Sequence, residues 1–127
     1  MAAEQWVPLE AHSGNLAFAV DISSIQRKGD TVTFRERLVF AAPDQRDAVS
    51  GKLIKEKQVL RVMHCKEKTQ GVKAGSLFDE NQRMIESVTL EDRLIAWSPI
   101  PEGTVAAIEL GMVCEPKAAA KPAAKQP

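Results

Sequence analysis

Thr31-Val32-Thr33-Phe34-Arg35-Glu36-Arg37-Leu38-Val39-Phe40 is the stretch on which the fold turns. Val32, Phe34, Leu38 and Phe40 recur at period two, and Thr31, Thr33, Arg35 and Arg37 fall between them. Strict alternation of this kind marks a strand with one covered and one open face. Glu36 interrupts the apolar side and reads as a paired carboxylate or a strand-end twist rather than as a catalytic group.

Strand-like segments flank this one on both sides. Trp6–Leu9 reads as a short first strand with Pro8 at an edge, and Leu16–Val20 as a second, separated by the turn residues His12-Ser13-Gly14-Asn15. Asp21–Ile25 reads as a tight corner or a turn of helix, with Asp21 accepting backbone N–H groups, and Lys28-Gly29-Asp30 as the next turn. Residues 41–51 form a polar loop. Strands are expected over about Lys55–Cys65, Val72–Phe78 and Arg83–Leu90, the last two joined by Asp79-Glu80-Asn81-Gln82. Short links between neighbouring strands imply an antiparallel sheet.

The period changes after Trp97-Ser98-Pro99-Ile100-Pro101. Thr104 is placed to cap a helix over Val105–Cys114, with Val105, Ile108 and Met112 on one face. One amphipathic helix and one sheet with a face to cover make an α+β domain. Its expected extent is residues 1–115. Residues 116–127, rich in Pro, Ala and Lys, read as a flexible tail.

Composition bounds the function classes. The 127 residues are 44% apolar and 27% charged, with 17 basic and 17 acidic side chains. That balance suits one globular domain and offers no basic excess for a nucleic-acid binder. No apolar run approaches the length of a membrane span. Cys65 and Cys114 lack metal-ligand spacing, and His12 and His64 add none, so neither a metal nor any other cofactor is implied. His64 and Cys65 are adjacent on a strand, where neighbours face opposite ways, so they form no thiol–imidazole pair. The two cysteines leave a disulfide and two buried thiols both open. Met1-Ala2-Ala3-Glu4-Gln5 resembles the flank of a signal-peptide cleavage site, and export would favour the disulfide.

Charge is unevenly distributed. Residues 52–73 carry a net +5 from Lys52, Lys55, Lys57, Arg61, Lys66, Lys68 and Lys73 against Glu56 and Glu67, whereas residues 74–114 carry −5. Cross-strand pairing is one account. A basic stripe of Lys52, Lys55, Lys57, Arg61, Lys66 and Lys68 that docks an acidic partner is the other. Trp6 and Trp97 read as packing groups rather than ligand platforms.

The order of these features resembles the surface-adhesin protein E-like family of small exported bacterial proteins. The resemblance rests on Trp6, on Asp21-Ile22-Ser23-Ser24-Ile25-Gln26-Arg27-Lys28-Gly29-Asp30, and on Val32 and Phe34. It continues through His64-Cys65-Lys66, Trp97-Ser98-Pro99-Ile100-Pro101-Glu102-Gly103-Thr104 and Val113-Cys114. His64 departs from the acidic residue that often precedes the family's cysteine. The resemblance implies an antiparallel sheet of about six strands with a C-terminal helix tied to it by a Cys65–Cys114 bridge. It also implies export to the periplasm, the outer-membrane surface or the medium, and adhesion to a host matrix or envelope protein without catalysis. The alternatives are an accessory subunit of an envelope assembly, including a homodimer through an open strand edge, and a carrier of a small ligand.

Overall fold

The computed structural model describes residues 3–13 and 16–114, with the backbone alone for 10–13. The expected tail and the Gly14-Asn15 part of the first turn lie outside the described residues. Six strands follow one another in an antiparallel meander: β1 (Trp6–Ser13), β2 (Leu16–Lys28), β3 (Thr31–Phe40), β4 (Glu56–His64), β5 (Thr69–Phe78) and β6 (Met84–Thr89). A two-residue strand, β7 (Ser98–Pro99), pairs with the start of β5, and α1 (Val105–Cys114) closes the order.

The register assigns the faces. Val32, Phe34, Glu36 and Leu38 of β3 stand opposite Met63, Arg61, Val59 and Lys57 of β4, so these eight share one face. α1 packs on that face at its Val32–Phe34 end. Val20, Val32, Phe34, Met63 and Val113 there are fully buried, and Ile25, Leu110 and the two cysteines pack around them. Cys65 and Cys114 are bridged, with Cα atoms 5.7 Å apart across 49 residues of sequence. Closing a loop of that length contributes about 4 kcal/mol in the chain-entropy account. Arg27 adds a second tie by donating to the Cys114 carbonyl (2.8 Å).

Asp21–Ile25 departs from the expected corner. β2 runs on to Lys28, and the segment is a bulge, since Asp21 pairs with Arg35 and Gln26 with Thr33. The side chains of the motif satisfy what the bulge leaves open. Buried Asp21 accepts the N–H of Gln5 (2.9 Å) and both the N–H and hydroxyl of Ser23. Ser24 Oγ donates to the Asp21 carbonyl and accepts the Arg35 N–H (2.8 Å) that has lost its ladder partner.

The helix meets expectation in part: Val105 and Met112 pack against the buried cluster, but Ile108 does not. Ile108 is 47% exposed, whereas Glu109 and Val113 are fully buried. Apolar residues lie on all sides of α1, so periodicity alone does not choose its inner face. At its start, Thr104 accepts the N–H of Ala107 (3.2 Å) and donates to the Pro101 carbonyl (2.7 Å), as a capping threonine should. On the opposite sheet face, the segment after β6 crosses β5 closely. A Cβ on Gly71 would overlap Ile95 Cγ2 and sit 3.1 Å from the Ala96 carbonyl oxygen.

Candidate interaction surface

α1 covers only part of the long sheet. Beyond it, on the same face, Leu38, Phe40, Val59 and Leu77 stay half-exposed and outside the buried cluster. Two lysines converge on Phe40. Lys57 Nζ lies 5.8 Å from the centre of its ring, and Lys55 Nζ donates to its carbonyl (2.7 Å). Lys52, half-exposed, stands 4.0 Å from Asp79 at the same end of the sheet. The N–H groups of Arg83 and Asn81 and the nearby lysine hold the Asp79 carboxyl below its usual range.

The other three members of the basic stripe are placed elsewhere. Lys66 and Lys68 are exposed in the β4–β5 turn, roughly 30 Å from Lys57 at about 3.3 Å per residue. Lys68 lines a cavity of about 320 Å³ with Cys65, Ile100, Glu102, Leu110 and Cys114. Arg61 points into the seam between sheet and helix. It donates to Glu36 Oε1 through Nε (3.2 Å) and Nη2 (2.8 Å) and to Gln70 through Nη1 (3.0 Å), and Nε lies 3.9 Å from Glu109 Oε1. Glu36 is therefore the paired carboxylate that the interrupted alternation suggested. The excess charge of residues 52–73 is met in part by acidic residues further along the chain, Lys52 by Asp79 and Lys73 by Asp92.

Among the described residues, Glu109 is the ionisable group furthest from its ordinary behaviour. Burial, then the hydrogen bond and charge of the neighbouring Glu36, push its pKa up to about 10, and Arg61 only partly opposes them.

The opposite sheet face carries a second ordered cluster. Arg35 and Arg37 project from β3 over the Trp6 ring, their guanidinium carbons 5.4 and 4.3 Å from its centre. Arg35 also bonds Glu4 (2.8 Å) and Gln58 (2.8 Å). The Trp6 indole N–H and Arg35 hold the Glu4 carboxyl below its usual range. His64 stacks on Trp97 with ring centres 4.1 Å apart, and Trp97 keeps 40% of its surface exposed. Sequence alone placed Arg35 and Arg37 together by their period; nothing local linked either to Trp6, 29 or more residues away.

Among the described residues, no helix is long and apolar enough to cross a membrane. The surface-adhesin protein E family model matches residues 6–115. Among solved structures, protein E of Haemophilus influenzae matches with a TM-score of 0.63 at 10% identity, covering 90% of this chain and 86% of that one. Protein E from a non-typeable strain of that species matches with a TM-score of 0.57 at 12% identity, over 88% of this chain and 85% of that one. No curated protein sequence matches. At such identities the structural likeness carries the fold, and the family rests on the model match.

Proposed function

The chain belongs to the surface-adhesin protein E family, and from that premise we propose an exported, non-enzymatic protein-binding domain of the bacterial cell envelope. The observation that carries the proposal is the half-exposed apolar sheet face beyond α1, rimmed by Lys55 and Lys57. A partner segment of a host matrix or envelope protein, with apolar residues beside carboxylates, suits it: the apolar part covers Leu38, Phe40 and Leu77, and the carboxylates meet the lysines. Of the basic stripe, Lys52, Lys55 and Lys57 form this contact and Arg61 supports it from within. Lys66 and Lys68 extend the charge at the far end and steer approach rather than dock.

The test is capture of matrix and envelope proteins by the immobilised full chain at rising salt. Lys55→Ala with Lys57→Ala should weaken capture and flatten its salt dependence, and Lys66→Ala with Lys68→Ala should act mainly on the association rate. Unchanged capture by the first pair would move the contact elsewhere. One observation favours a second reading, an assembly subunit. β6 forms an edge of the sheet, and its Met84 and Val88 are 56% and 47% exposed. A sedimentation coefficient independent of concentration would remove that reading.

A further inference from the structure

Three charged side chains meet where α1 crosses the sheet: Glu36 from β3, Arg61 from β4 and Glu109 from the helix itself. Both carboxylates are essentially without solvent contact. Glu36 receives two bonds from Arg61, whose third goes to the neutral Gln70 of β5. Neither oxygen of Glu109 receives a donor from any neighbour, although Glu36 lies against it. Two ionised carboxylates against one guanidinium would leave a net negative charge in the seam, with two of the oxygens unpaired. One proton cancels that charge and pairs one of the two oxygens. It gives Glu109 a donor, gives Glu36 another bond to accept, and makes the cluster neutral.

We propose that Glu109 is a protonated acid that donates to the Glu36 carboxylate, so that α1 is seated on the sheet by a titratable latch midway along its length and by the disulfide at its end. The proton belongs on Glu109 because Arg61 already bonds Glu36 twice and only approaches Glu109 at 3.9 Å. Alkali removes the proton and returns the buried charge, and the helix loosens while Cys114 keeps it tethered. In acid the latch stays closed. Glu36, Arg61 and Glu109 are the charged groups facing one another here, and the bridged cysteines do not titrate.

Two measurements on the full, bridged chain test the latch. The first compares unfolding equilibria of the parent and Glu109→Gln from pH 5 to pH 9. The glutamine is neutral at every pH and can donate to Glu36, so its advantage over the parent should widen with pH, by up to tenfold in the unfolding constant per unit. A constant difference would overturn the proposal. The second needs no variant and covers a failure of Glu109→Gln to fold. Urea unfolding of the parent at pH 8, above the ordinary histidine range, should release close to one proton into weak buffer. Release near zero would mean that Glu109 is already ionised in the folded chain.

Discussion

Replacing Arg61 with methionine separates a structural cation from a docking one. The change keeps a long stem and removes the guanidinium, and with it the bonds to Glu36 at 3.2 and 2.8 Å and to Gln70 at 3.0 Å. Glu36 is then a fully buried carboxylate without its counter-charge. Removing one partner of such a pair costs about 3–5 kcal/mol. A second route to the magnitude gives the same scale. Glu36 can escape by taking a proton, and holding one on an ordinary glutamate at pH 7 costs about 1.4 kcal/mol for each of roughly 2.7 pH units, or about 4 kcal/mol. That ceiling falls to about 1 kcal/mol at pH 5, so the penalty itself should depend on pH. Urea unfolding at pH 5, 6 and 7 reads it directly, with Lys57→Met, four residues away on the same face of β4, as the control expected within about 0.5 kcal/mol of the parent. Adding Glu36→Gln to Arg61→Met should recover most of the loss at pH 7. A penalty below about 1 kcal/mol at pH 7, or one that does not change with pH, would refute the reasoning.

Two further outcomes follow from close contacts in the fold. Gly71→Ala should destabilise by about 1–3 kcal/mol, read by thermal unfolding, because the added methyl must displace Ile95 and the Ala96 carbonyl. Asp21→Asn should cost about 1–2 kcal/mol at pH 7 through lost acceptor capacity at the bulge. Burial raises the Asp21 pKa, but the Ser23 hydroxyl, the N–H groups of Gln5 and Ser23 and the charge of Arg35 outweigh it and hold it low. The stability from this carboxylate is therefore present above the ordinary aspartate range and lost as pH falls through the lowered value, so parent and variant should converge in strong acid. Glu109, raised instead, acts at the other end: its contribution is lost as pH rises toward about 10. Together the two place the broadest stability on the acid side of neutrality.

Strand periodicity made the architecture legible. Val32, Phe34, Leu38 and Phe40 sit on one side of β3 as their spacing predicts, and Thr104 starts the helix where its hydroxyl can cap it. Local pattern did not reach the features set by distant partners. Ile108 reads as core only until Glu36 and Arg61 are known to wait on the sheet for Glu109. Asp21-Ile22-Ser23-Ser24 reads as a corner because aspartate and serine bond backbone in corners and bulges alike; only the register with Arg35 and Thr33 distinguishes them. Arg61 counts as one more positive charge in the stripe, and its burial follows from facing Phe34 and Glu36 on the covered side.

The interaction surface is tested most directly by amide hydrogen exchange of the full, bridged chain with and without a captured matrix or envelope protein. Protection should appear in the Leu38–Phe40 end of β3 and the Glu56–Gln58 end of β4, with α1 and the Lys66–Lys68 turn unchanged. Protection confined to the turn, to α1, or to the Trp6–Arg37 face would contradict the account.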